Sequence, residues 1–137
     1  MNEQDIRWKQ RFAQFQKAFN LLESAIAIAQ PTVVERAGLV QFFEISFELG
    51  WKLLKDYQEA QGFGINSPRE AIKQAFQSGL ITAGQDWLQA LEDRNQTADT
   101  YDEQTAQLVD RKIRTNYHPM LKSLVQCFAA RTEASTA

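Results

Sequence analysis

A short polar stretch, LEDRNQTADTYDE at residues 91–103, contains side chains that could bind or react with a phosphate group. Arg94 and Asn95 lie near its start, and Asp99 and Tyr101 lie near its end. If the chain stays helical, Arg94 and Tyr101 share one face, because residues seven positions apart are about two helical turns apart. If the helix breaks between them, both flank the N-terminus of the next helix. Either arrangement suits an anion, since a guanidinium group and the amides at a helix N-terminus both bind phosphate.

The same stretch has a purely structural interpretation. Thr100 and Glu103 have the spacing of a capping box, in which each side chain bonds to a backbone amide at the start of a helix. On this interpretation the stretch is only a corner between two helices. The residues alone do not decide between a phosphate-binding site and a structural corner.

A second polar and aromatic group consists of Glu44, Glu48, Trp51 and Lys52. We favour a core tryptophan beside an exposed Glu48–Lys52 pair, which at four-residue spacing stabilises a helix by roughly 0.2–0.5 kcal/mol. The alternative is that Glu48, Trp51 and Lys52 line a cleft or contact a partner protein.

Other residue types give no sign of a bound metal ion or cofactor. The single histidine, His118, lies beside Pro119 and has no histidine or cysteine near it in sequence, so we expect a structural role. The segment GFGIN lacks the further glycine and the lysine of a phosphate-binding loop. The single cysteine, Cys127, excludes a disulfide within one chain. We therefore predict no metal and no cofactor.

The composition indicates one domain in a reducing compartment. The 137 residues suffice for a single core over residues 1–137, with the small, polar tail at 130–137 expected to fray. The balance of 15 basic and 17 acidic residues argues against a broad surface for duplex DNA or anionic lipid. The apolar runs are far shorter than the roughly 20 residues of a membrane span, so we expect a cytoplasmic protein with no membrane contact.

Apolar spacing predicts helices in the first half of the chain. The first helix ends near Pro31, and the second covers about 33–61 after a capping box formed by Thr32 and Glu35. The third begins with the cap, proline and carboxylate of Ser67, Pro68 and Glu70, points Ala71, Ile72 and Phe76 inward, and ends at Gly79.

The second half predicts two more helices, at about 83–94 and 101–131, the latter kinked at Pro119. No alternating strand pattern occurs. The fold class is therefore an all-α, antiparallel up-and-down bundle of about five helices. The second helix is apolar over so wide an arc that it must pack against several neighbours or a second chain, which predicts a dimer.

Three segments, FFEISFELGWKLLKDY, SPREAIKQAFQSGL and WLQALEDRNQTADTYDE, resemble the nucleotidyltransferase substrate-binding proteins of the HEPN superfamily. The resemblance covers about residues 5–128, in the expected order and spacing. It implies a helical homodimer with the motif near the two-fold axis. It also implies a minimal nucleotidyltransferase as partner, often in a toxin and antitoxin pair, and RNA or a nucleotide as ligand.

The signature of this family is an arginine, four to six further residues and a histidine, commonly followed by a tyrosine two residues later. Arg94 and Tyr101 fit the arginine and the tyrosine, but Asp99 occupies the histidine position. In active members the arginine and histidine cleave RNA without metal. An aspartate with a pKa near ~3.9 is a poor acid at neutral pH, so we expect weak ribonuclease activity or none. In some pairs the nucleotidyltransferase adenylylates the tyrosine, and Tyr101 keeps that position.

These residues support three hypotheses about function. The first is a helical subunit that binds a nucleotidyltransferase and offers Arg94, Asn95 and Tyr101 as substrate-binding or acceptor surface. The second is a metal-independent, RNA-cleaving toxin that is inactive or weakened because of Asp99. The third is a structural dimer module whose polar corner only caps helices.

Overall fold

The computed structural model describes residues 2–96 and 102–136, and all regular structure in these two ranges is helical. The helices are α1 (Glu3–Ile26), α2 (Val33–Ala60), α3 (Pro68–Gln77), α4 (Gly84–Gln96), α5 (Glu103–Lys112) and α6 (His118–Thr136). A π-helical turn, Ile113–Tyr117, joins α5 to α6. The predicted all-α class is confirmed. The backbone of the polar tail, which we expected to fray, is helical through Thr136.

Helix α1 runs antiparallel to both α2 and α6 around one core. The start of α1 lies against the end of α2, where the rings of Trp8 and Tyr57 meet edge to face with centroids 5.3 Å apart. The end of α6 reaches the same region, because Phe128 also packs on Trp8. This up-and-down arrangement buries an aromatic interior, made mainly of Trp8, Phe12, Phe15, Phe19, Phe43, Phe47, Trp87, Tyr117 and Phe128.

Local capping signals account for several helix ends. The Thr32 hydroxyl accepts from the Glu35 amide at 3.2 Å, and the Thr32 amide donates to the Glu35 carboxylate at 2.9 Å, which confirms the predicted capping box. Ser67 caps α3 by accepting from the Glu70 amide at 3.1 Å. Gly79 has a φ of +82°, as its predicted role after α3 requires.

Phe76 corrects the predicted core. It was expected inside but is 55% exposed. Its ring covers the first residue of α4, since a Cβ built on Gly84 would lie 2.8 Å from the ring. Phe76 therefore packs on the surface between α3 and α4 instead of in the interior.

The start of α5 is capped by a residue that the sequence analysis did not name. The helix begins at Glu103, and Asp102 is the N-cap, accepting from the Thr105 amide at 3.3 Å and from the Thr105 hydroxyl at 2.6 Å. Glu103 accepts from Arg36 at 2.7 Å. Thr100 lies outside the described residues, so the predicted capping box of Thr100 and Glu103 stays a prediction.

The irregularity predicted near Pro119 takes the form of the π turn. The His118 amide donates to the Ile113 carbonyl, five residues back. Proline lacks the amide that a regular helix would use here, so the chain departs from α-helical bonding just before it. No helix in the two described ranges is long and apolar enough to cross a membrane.

Candidate functional site

The last full turn of α4 presents Arg94 to the middle of α2. The Arg94 guanidinium forms an ion pair with one carboxylate oxygen of Glu48. The other Glu48 oxygen accepts from the indole nitrogen of Trp51 at 2.9 Å. Two groups of residues that lie far apart in sequence therefore form one site on the protein surface, with Arg94 24% and Glu48 35% exposed.

This arrangement corrects the favoured interpretation of α2. Glu48 bonds to Arg94 and Trp51, so the predicted exposed pair of Glu48 with Lys52 is wrong. Trp51 is only partly buried, and the Lys52 ammonium lies over its ring, 6.0 Å from the centroid. At that distance the lysine charge is attracted to the face of the indole. The alternative, that Glu48, Trp51 and Lys52 line a cleft or contact a partner protein, stays a prediction.

The remaining predicted site residues lie within or next to residues 97–101, between the two described ranges. Asp99 and Tyr101 lie outside the described residues. Asn95 belongs to α4 by its backbone, and its side chain is also outside the description. The structure therefore brings Arg94, Glu48, Trp51 and Lys52 together.

The residue before Arg94 in sequence is Asp93, whose carboxylate is buried. Asp93 is 3% exposed and accepts from the Tyr117 hydroxyl, from Lys112 Nζ at 3.3 Å and from Gln89 Nε2 at 3.2 Å. Burial, followed by the bond to the negative Asp93, raises the pKa of the Tyr117 phenol above its usual range. Sequence reasoning missed Asp93. The available signal was an acidic residue that continues the three-residue spacing of the inward-facing Trp87 and Ala90.

A second charged cluster lies between the start of α2 and α5. Asp110 is 6% exposed and accepts from Arg36 Nε at 3.0 Å and from Arg114 Nε at 2.6 Å. Arg36 also reaches Glu103, the first residue of α5. Hydrogen bonding to Asp110 is the main cause that raises the pKa of Arg36, so this arginine stays charged. Both helices that border residues 97–101 are thus held to α2 by arginine and carboxylate pairs.

The same cluster closes the end of α1. Arg114 donates through its two terminal nitrogens to the carbonyls of Ile26 and Ile28, at 2.9 Å each. The last turn of α1 has no basic residue of its own, so Arg114 supplies the positive charge that a helix C-terminus favours. Each nitrogen of the Arg114 guanidinium therefore has an acceptor within the protein.

Comparison with known proteins identifies the family. Residues 10–130 match the family described as nucleotidyltransferase substrate binding protein like. The chain belongs to this family. The resemblance seen in the three sequence segments is thereby confirmed.

Two relatives extend this result. Over 99 residues the chain is 29% identical to a Haemophilus influenzae protein named "Probable ribonuclease HepT". That match covers 69% of this chain and 66% of the relative, slightly less than two thirds of its length. A crystal structure of a Thermus thermophilus protein has a TM-score of 0.72 and 30% sequence identity, and the match covers 85% of this chain and 97% of the other.

Proposed function

We propose that this chain is the helical partner of a minimal nucleotidyltransferase and that the two proteins act as a toxin and antitoxin pair. The observation that carries the proposal is Arg94, a partly exposed guanidinium held by Glu48 at the end of α4, in a member of the substrate-binding family. Arginine recognises phosphate through a planar set of donors. The site therefore suits the phosphate of a nucleotide or of RNA.

Tyr101 is the proposed acceptor of an adenylyl group. Its phenolic oxygen attacks the α-phosphorus of ATP, pyrophosphate leaves, and the phenolic proton passes to a base on the transferase. The new phosphodiester is negative, and Arg94, seven residues earlier in sequence, is the cation that stabilises it. Asn95 and the ring of Trp51, with Lys52, complete the proposed nucleotide surface. Because the reaction uses ATP, the proposal also implies a cytoplasmic location.

Two measurements test this function. The purified chain and the nucleotidyltransferase encoded beside it should co-elute on a sizing column. Mass spectrometry after incubation with the transferase, ATP and magnesium should find one added adenylate on Tyr101, and none in Tyr101→Phe. Separate elution, with no adenylate and no binding of nucleotide or RNA, would instead support a structural dimer module.

A ribonuclease is the second candidate, favoured by the name of the Haemophilus influenzae relative. In this alternative Arg94 stabilises the pentavalent phosphorus while a base removes the ribose 2′-hydroxyl proton. Asp99 can accept that proton but is a poor donor to the leaving oxygen, so the activity is weak. RNA should be cleaved by Asp99→His and hardly at all by the chain that carries Asp99. Cleavage by neither version would exclude the ribonuclease.

We also propose that the chain forms a homodimer. Large apolar side chains remain exposed on α2 and on the neighbouring α5: Val33 is 54%, Val34 80%, Ile45 39% and Leu108 55% exposed. Exposed apolar side chains on adjacent helices favour burial against another protein surface. Light scattering should give the dimer mass, and Val34→Glu should lower it. The monomer mass for the natural chain at high concentration would contradict this proposal.

A further inference from the structure

The buried carboxylate of Asp93 lies on the helix turn that carries Arg94. A buried carboxylate costs several kcal/mol in lost hydration unless other groups compensate. Here compensation comes from one hydroxyl, one ammonium group and one amide, contributed by Tyr117, Lys112 and Gln89. Such a group fixes the position of its helix more strictly than an apolar residue would, because each bond requires a particular geometry.

The π turn makes this arrangement possible. Lys112 and Tyr117 both donate to the same oxygen, Oδ2 of Asp93, although they are five residues apart. In an α-helix, residues five apart are separated by about 140° around the axis and face different sides. Bonding between residues five apart, as in the π turn, widens the turn and brings the two residues closer to the same side of the helix. The irregular turn therefore has a structural purpose, which is to aim two donors at one carboxylate.

We infer that Tyr117 and Lys112 are positioning residues for Arg94. Neighbouring residues of an α-helix point about 100° apart, so fixing the direction of Asp93 also fixes the direction of Arg94. The network on Asp93 holds the inner side of α4, and the Glu48 pair receives Arg94 on the adjoining side. Lys112 also offsets the charge of Asp93. This inference rests on the proposed function only for the role of Arg94 toward substrate.

The indole group of Trp51 reports the position of Arg94 without any activity assay. Its N–H donates to Glu48, which holds Arg94. Of the three tryptophans, Trp8 donates instead to Asp5 at 3.2 Å, far from the site in sequence, and is the internal reference. In a ¹⁵N-labelled protein each indole gives its own resonance. Tyr117→Phe removes one hydroxyl group and leaves the ring volume almost unchanged.

The matched control is Tyr57→Phe. The Tyr57 hydroxyl accepts from Arg131 at 2.7 Å, and the ring contacts Trp8. We expect Tyr117→Phe to move the Trp51 resonance in the direction given by Arg94→Ala and to leave Trp8 in place. Tyr57→Phe should move the Trp8 resonance and leave the Trp51 resonance in place. If Tyr117→Phe does not fold, Lys112→Met replaces it, since Lys112 is 46% exposed and its loss is easier to tolerate. A Trp51 resonance that stays in place in folded variants overturns the positioning role.

Adenylylation by the partner transferase separates this inference from the proposed function. With misdirected Arg94, we expect the turnover rate to fall by up to about 100-fold, the size of effect that a small misplacement causes, with Tyr57→Phe unchanged. If the Trp51 resonance moves but neither Tyr117→Phe nor Arg94→Ala slows adenylylation, the positioning role stands and the function proposed for Arg94 is wrong.

Discussion

Arg94 and Glu48 form an ion pair across 46 residues of sequence, joining the last turn of α4 to the middle of α2. The pair is partly exposed, so water screens part of the attraction. Glu48 thus occupies the guanidinium in the absence of a ligand. An incoming phosphate group must compete with this carboxylate, and both negative groups would lie close together in the complex.

Glu48→Gln should therefore strengthen the binding of anions. It removes the competing charge but keeps an oxygen that can accept from Trp51. Since a partly exposed ion pair contributes roughly 0.2–1 kcal/mol, we expect AMP or a short RNA to bind up to about fivefold more tightly. Isothermal titration calorimetry at fixed salt measures this change.

Glu59→Gln is the matched control for that experiment. Glu59 also lies on α2 and pairs with a cation, Lys55, at 3.4 Å. It lies 11 positions after Glu48, about three helical turns away. Glu59→Gln should leave the affinity for AMP or RNA unchanged. An equal gain in both variants would mean that net charge, not the Arg94 contact, controls binding.

Features determined by adjacent residues could be predicted from the sequence. The cap formed by Thr32 and Glu35 and the left-handed Gly79 are confirmed, because the partners lie within a few residues. The apolar spacing that predicted the first helix also places Phe12 and Phe15 on one buried face of α1.

Features determined by distant partners could not be predicted. Glu48 has a suitable partner four residues away in Lys52, but tertiary packing brings Arg94 closer. In the sequence, Asp93 is indistinguishable from a surface charge, because its partner Tyr117 lies 24 residues later. The π turn has no clear local signal apart from Pro119. The sequence therefore suggested Arg94 and Glu48 as separate candidates, whereas their pairing needed the structure.

The charged cluster around Asp110 should dominate the stability of the end of the bundle near residue 28. Asp110→Asn would leave Arg36 and Arg114 without their shared carboxylate, and loss of one partner from a buried pair costs about 3–5 kcal/mol. We expect urea unfolding to show a loss of about 3 kcal/mol. Glu92→Gln, on an exposed face of α4, should change stability by less than about 0.5 kcal/mol. A small loss in Asp110→Asn would show that the arginines find other partners.

Alkaline pH should destabilise the protein through Tyr117. Its pKa is raised in the folded state above the ordinary value of 10.0, so the folded protein keeps the phenolic proton when the unfolded chain has lost it. The unfolded state then binds fewer protons, and stability falls as pH rises above about 10, by up to about 1.4 kcal/mol per pH unit. Below that pH the contribution is fully present. Urea unfolding from pH 8 to 11 should show a shallower decline in Tyr117→Phe than in Tyr57→Phe. Equal slopes would contradict the assignment.

Gly50 sets the distance between α2 and α4. A Cβ built there would lie 3.1 Å from Cη2 of Trp87 and 3.3 Å from Cε1 of Phe15, and both rings are buried on all sides. Alanine normally favours a helix over glycine by about 1 kcal/mol, but forcing an extra methyl group into a packed core costs about 1–3 kcal/mol. We expect Gly50→Ala to lower the free energy of unfolding by about 1 kcal/mol.

The same change should reach the candidate site. Trp87 and Arg94 lie on the same helix, seven residues apart, so pushing Trp87 away from α2 also draws Arg94 away from Glu48. The Trp51 indole resonance should therefore move in Gly50→Ala. Gly38→Ala is the control, because no atom lies within 4 Å of the added Cβ and the helix should gain up to about 1 kcal/mol. Two results together would contradict this prediction: a gain in stability in Gly50→Ala like that in Gly38→Ala, and an unchanged Trp51 resonance. They would mean that Trp87 on α4 is not packed closely against Gly50 on α2.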